Sequence, residues 1–283
     1  MNLPKPQPLQ DWLSQAWNIL FGRKIGPTDN LWLLGPISET TEIGEALIRQ
    51  IAKRENLSID DTSRQCGLVH SFNSFTHLNY PVRQEIQDFY LQASEFEFDV
   101  WTQWSRGFSF LGVLVKLLFA KRIAQLNLPH NPLDTAYGIT SDIIRLRDPE
   151  KKIYHTIWLR RLKKTGHIMY LGFYCIVKLP KGENCFRVVF PLPQGSATVI
   201  LGLQTDPHGN LELVSKGNDY DDAGFYFIVR DAQGQYWKHF LKHFSEKIRV
   251  YVDNEGVLRT DHSMSVYGLT AFRLHYRMQR KKQ

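Results

Sequence analysis

From about Ser141 to the C-terminus, side-chain character alternates with a period of two, in short aromatic-rich runs divided by turn residues. That alternation constrains the fold more than any other feature, because successive residues of a strand point to opposite faces. Strands are expected near 140–147, 153–161, 167–178, 184–190, 196–203, 210–214, 224–230, 246–252, 257–266 and 270–278. Turns with suitable chemistry separate them, among them Asp148-Pro149, Lys164-Thr165-Gly166 and Asp253-Asn254-Glu255-Gly256. A short helix is expected around YWKHFLKHF. Short connections between so many consecutive strands describe a meander, and a twisted meander of that length must curl or close.

The first half has a different grain. A short amphipathic helix carries Trp12, Leu13, Ala16, Trp17, Ile19 and Leu20 at helical spacing, and a second spans Ser38 to Asn56, with Ser38 or Thr40 as its cap. A third begins after Pro81, which suits a first helical turn, and buries Val82, Ile86, Phe89 and Tyr90. The following EFEFDVWTQW fits either a strand or the end of that helix. The apolar segment 108–120 is broken by Lys116 and falls short of the ~20 residues that cross a bilayer. It fits a helix covering the sheet or one lying in a membrane surface, and covering the sheet is the expectation.

Composition is that of an ordinary folded chain, with 43% hydrophobic and 22% charged residues in 283. Three cysteines cannot all pair, and no signal-peptide pattern opens the chain, so a reduced, cytoplasmic protein is expected. The net charge of +7 is unevenly placed: residues 1–133 hold 12 Lys and Arg against 13 Asp and Glu, so 134–283 carry a net +8. Such a surplus favours anionic partners, which include a membrane surface and hence a peripheral membrane location. Nucleic acid is not expected as a partner, since the aromatics lie in strands beside aliphatic residues and suit burial better than exposed stacking.

Alternation assigns faces. On 153–160 one face holds Ile153, His155, Ile157 and Leu159, the other Tyr154, Thr156, Trp158 and Arg160. On 167–176 one face holds His167, Met169, Leu171, Phe173 and Cys175, the other Ile168, Tyr170, Gly172, Tyr174 and Ile176. Tyr154, Trp158, Arg160, Tyr170 and Tyr174 combine aromatic walls with polar tips, as small-molecule pockets do, and are expected to face a ligand. Arg273, His275 and Arg277 share a face of the last strand. They form an anion-binding row if inward and a solvated face if outward, and outward placement avoids burying unpaired charge.

Catalytic groupings are thin. Asp261, His262 and Ser263 are consecutive, so a strand sends them to opposite faces and they cannot act as a triad. No nucleophile elbow, H-E-x-x-H, Walker A loop or dinucleotide fingerprint occurs. His239 and His243 have the spacing of a helical metal pair but lack a third ligand, so neither metal nor cofactor is expected.

The strings VRQEIQDFYLQASEFEFDVWTQW, KRIAQLNLP, GITSDIIRLRD, VVFPLP and LRTDHSMSVYGLTAFRLHY resemble the soluble C-terminal region of bacterial YndJ-like uncharacterised proteins over about residues 80–278. The resemblance implies a domain able to work beside a membrane and supplies no catalytic residue. The sequence therefore reads as α+β. N-terminal helices, mainly in 1–133, pack as one unit on a large curved antiparallel meander in 134–283, either a half-barrel or a lipocalin-like barrel. The function expected of it is non-catalytic binding of a lipid-like or isoprenoid-like molecule in the cavity of the curved sheet. An enzyme acting on such a molecule, using His155, Tyr170 or His262, and a protein-interaction scaffold are the alternatives.

Overall fold

The computed structural model describes residues 9–39, 44–60, 66–105 and 137–281. Two short strands, β1 (Arg23–Ile25) and β2 (Ser58–Asp60), precede β3 (Phe96–Trp104), β4 (Ile139–Arg147), β5 (Ile153–Leu162) and β6 (Ile168–Lys178). There follow β7 (Asn184–Leu192), β8 (Gly195–Thr205), β9 (Leu211–Ser215), β10 (Gly224–Arg230), β11 (Tyr236–Phe240), β12 (Phe244–Val252), β13 (Leu258–Val266) and β14 (Leu269–Arg280). Every strand pairing is antiparallel. The sheet runs β8-β7-β6-β5-β4-β3-β14-β13-β12-β9, and β9 returns to β8, closing a ten-stranded barrel. Closure removes the unpaired edges that a long open sheet exposes.

Four strands lie off the ring. The long β8 forks: its first residues pair with β10 and its last with β9, so β10, β11 and β1 continue as an outer flap. On the other side β2 takes an edge of β4. Among the described residues β3 and β4 share one register pair, Phe98 with Ile139, whereas β4 and β5 pair along their length.

The chain is thus mostly β. Its described helices are α1 (Leu9–Phe21), α2 (Glu45–Arg54) and α3 (Gln84–Leu91). Within the stretch expected as a helix from Ser38, α2 spans Glu45–Arg54 with Gly44 at its N-cap, and Ser38 instead bridges to Pro193. Pro81 lies ahead of its helix rather than in the first turn, since α3 is capped at Arg83. In EFEFDVWTQW, Glu95 ends a 3-10 turn (Ala93–Glu95) and the rest is strand β3, with Phe96, Phe98, Val100 and Thr102 buried and the residues between them exposed. The helix expected at YWKHFLKHF is absent. Tyr236–Phe240 is strand β11, held between β10 and β1, and the chain turns at Leu241 into β12. Its two ladders provide hydrogen bonds that override the local spacing, so His239 and His243 are not on one helical face. The apolar segment 108–120 lies outside the described residues.

Apolar residues gather in three clusters. The barrel interior holds Phe98, Trp158, Phe186, Val199, Leu213, Val250 and Leu274, and α3 adds Ile86, Phe89 and Tyr90 to it. On the outer surface of β4–β7, Leu47, Ile48 and Ile51 of α2 meet Ile157, Leu159, Leu171 and Phe173. The third cluster joins Trp32 and Leu33 to Ile200, Tyr226 and Phe240. The apolar character of both faces of β5 and β6 has this origin: one faces the barrel interior and the other faces α2. None of the three cysteines forms a disulfide, and Cys175 opposes Arg187 rather than Cys185.

Candidate functional site

Trp158 and Arg160 are two residues apart on β5 and point into the barrel, with Leu159 between them turned to α2. On β6, Tyr170 and Tyr174 point inward on either side of Gly172, which lies opposite Trp158. Glycine is required there. A Cβ at position 172 would come within 2.9 Å of both the Tyr170 phenol oxygen and Val188. Without it, Tyr170 folds over the glycine and its phenol hydrogen-bonds that of Tyr174. Burial pushes both phenols above the usual tyrosine range, so they remain neutral hydrogen-bonding groups.

Arg160 is 7% exposed. Its guanidinium carbon lies 3.5 Å from the Trp158 ring centre and 4.9 Å from that of Phe98. Tyr276 of β14 stands 5.2 Å away, its phenol within hydrogen-bonding reach. Among the described residues no carboxylate oxygen comes within 4.0 Å of this guanidinium, and its Nε has no hydrogen-bond partner. A guanidinium without an acid in an apolar interior is unusual, since buried charges are ordinarily paired.

The opposite wall comes from β12 and β13. Glu246 and His262 point inward, with carboxylate oxygen and imidazole Nε2 3.8 Å apart, beyond hydrogen-bond range. Burial raises the Glu246 carboxyl to about 7. Burial first, and the Arg160 charge second, push the His262 imidazole down to about 4. At neutral pH the imidazole is therefore uncharged and the carboxyl is near half-protonation. Between these walls lies a cavity of about 100 Å³, also lined by Met169, Thr260, Met264 and Met278, with Phe89 and Tyr90 of α3 contributing to its lining.

Four of the five residues expected to face a ligand, Trp158, Arg160, Tyr170 and Tyr174, line this cavity together. Tyr154 does not. It is 62% exposed, because β5 carries an extra residue where Leu146 opposes His155 while Arg147 opposes Ile153, and Tyr154 is bulged out of register. A second bulge explains Met169. Arg160 opposes Tyr170 and Arg161 opposes Ile168, so Met169 is the extra residue and joins the interior instead of sharing the outer face of Leu171.

Other candidates lie outside the barrel. His155 donates a 2.7 Å hydrogen bond from Nε2 to the Glu55 carboxylate, beyond the end of α2, and takes no part in the cavity. Arg273, His275 and Arg277 face outward on β14. His275 is 2.7 Å from Asp261, and the neighbouring Lys247 and Arg249 pair with Glu212 and Asp206, so acids interleave the basic row. Asp261 and Ser263 share that outer face while His262 points inward, as alternation requires. Glu246 was not singled out from the sequence, because FSEKIRV gives no hint that a lone acid will be folded under a barrel wall.

Comparison with family models, with curated proteins and with solved structures returned no match. The likeness to the YndJ-like C-terminal region therefore rests on the sequence strings quoted above. Among the described residues no helix is long and apolar enough to cross a membrane.

Proposed function

We propose that the barrel is a non-catalytic binding protein for a hydrophobic small molecule, taken up in its interior. One observation carries this reading: an aromatic-walled cavity that the polar side chains of Arg160, Glu246 and His262 also line. Small-molecule sites have that composition, apolar walls with a few orienting polar groups. Size restricts the occupant. Drug-sized ligands occupy ~300–1,000 Å³, and an engineered cavity of ~150 Å³ accepts benzene. About 100 Å³ holds a compact molecule or one end of a lipid-like or isoprenoid-like chain.

Native mass spectrometry of protein purified from its own host is expected to show a co-purifying apolar molecule, absent from a Val188→Trp variant that fills the cavity beside Gly172. A protein that arrives empty, and binds apolar probes no differently from the filled variant, would overturn the reading. The +8 surplus of residues 134–283 also supports a peripheral place at an anionic membrane. Co-sedimentation with phosphatidylserine vesicles, lost in high salt, tests it.

An enzyme acting on such a molecule is the alternative favoured by a specific observation, the Glu246 carboxyl at about 7 beside a neutral imidazole 3.8 Å away. Groups whose environments hold them near working pH are suited to proton transfer. Chemical change in the co-purified molecule on incubation with parent protein, and not with Glu246→Gln, distinguishes catalysis from storage.

A further inference from the structure

Resting on the binding role proposed above, we infer that the ligand carries a single carboxylate, seated on Arg160 beside the Tyr276 phenol, with its apolar part toward Trp158, Tyr170 and Tyr174. The geometry of the guanidinium is the starting point. It offers five N–H donors, all in one plane, and aromatic rings satisfy only its faces. Trp158 occupies a face at 3.5 Å. The Phe98 and Tyr276 rings lie 4.9 and 5.2 Å from the guanidinium carbon, and Nε has no hydrogen-bond partner among the described residues. A carboxylate is the group whose two oxygens match the remaining in-plane donors in a bidentate pair.

Charge selects among anions. Arg160 is the cation lining the cavity among the described residues, and Glu246 is the one acid. A carboxylate brings one negative charge and leaves the guanidinium neutralised. A phosphate monoester brings about −1.5 to −2 at neutral pH, leaving uncompensated negative charge in a largely apolar cavity that Glu246 also lines. The surrounding phenols stay protonated and can donate to an oxyanion, yet they add no positive charge to hold a second unit of it. A neutral alcohol, in turn, leaves the buried guanidinium without its counter-charge. The site thus discriminates against neutral and doubly charged heads on the same chain.

Titration calorimetry with octanoate, 1-octanol and monooctyl phosphate tests this on the parent protein, with no variant needed. Octanoate is expected to bind at least about tenfold more tightly than either of the others, the difference made by about 1.4 kcal/mol. In Arg160→Met, whose fold is checked by near-ultraviolet circular dichroism, octanoate should fall to the affinity of 1-octanol while 1-octanol is retained. Equal binding of octanoate and 1-octanol by the parent, tighter binding of the phosphate, or an octanoate preference that survives in Arg160→Met would each overturn the carboxylate assignment and leave the hydrophobic-binding role standing. Failure of all three probes to bind would overturn both.

Discussion

At Arg160 the proposed binding role opposes stability. Removing a guanidinium from water costs several kcal/mol, and a ring contact returns about 2 kcal/mol when desolvated. No described carboxylate makes up the difference. In ligand-free protein, Arg160→Met is accordingly expected to raise stability by about 1 kcal/mol or more, read as a higher urea midpoint; a lower midpoint would show that the charge is already compensated. Glu246 and His262 oppose each other across pH. The Glu246 carboxyl is raised from 4.5 to about 7, so its neutral form favours folding and stability declines as pH rises through that interval. The shift corresponds to about 3 kcal/mol. The His262 pKa is depressed from 6.5 to about 4, so its contribution is full above 6.5 and is lost as pH falls to 4. Between about 4.5 and 6.5 the two slopes cancel. Glu246→Gln should leave a protein that loses stability on acidification, and His262→Gln one that gains it. Parallel pH–stability curves for both variants and the parent would refute this opposition.

At the scale of elements, the cavity exists because a strand and a helix leave it open at defined points. Gly172 makes room for the Tyr170–Tyr174 pair, and Gly172→Ala is expected to displace Tyr170, cost about 1–3 kcal/mol and abolish ligand uptake. Helix α3 contributes Phe89, whose ring lies 5.4 Å from Phe96, 5.9 Å from Phe98 and 6.1 Å from Trp158. Phe89→Ala should cost about 3–5 kcal/mol in thermal or denaturant unfolding while enlarging the cavity, so that longer carboxylates gain affinity relative to octanoate. An equal loss for every chain length would mean that α3 does not bound the cavity. The elements were also where sequence reasoning met its limits. Alternation located the strands of the second half because each buries residues on a period of two. It misplaced Tyr154 and Met169, because each is the extra residue of a bulge and a bulge leaves no mark in hydrophobic pattern. It misread Tyr236–Phe240 because local spacing carries no information about the strands β10 and β1 that pair with it.

For the whole molecule, the decisive event is closure. β3, from the first half of the chain, lies between β14 and β4, and β8 closes on β9. A fragment of residues 134–283 therefore lacks a barrel stave. It is expected to lack the near-ultraviolet circular dichroism of packed aromatics, whereas a fragment that folds and binds octanoate by itself would show the ring to be dispensable. Contacts between distant parts of the chain must form before any interior exists, which predicts folding on the slow scale of all-β proteins, milliseconds to seconds.

Strand positions, turns and the sharing of a face by Trp158, Arg160, Tyr170 and Tyr174 were properties of the sequence alone, because side-chain alternation is a local consequence of backbone geometry. Which face became the interior, and that Glu246, His262 and Tyr276 stand around the same cavity as Arg160, only the tertiary structure decided. Those groups lie on strands up to 116 residues further along the chain, and their meeting depends on register, bulges and closure. A buried guanidinium with no described carboxylate within 4.0 Å acquires chemical meaning only when the wall opposite it is known.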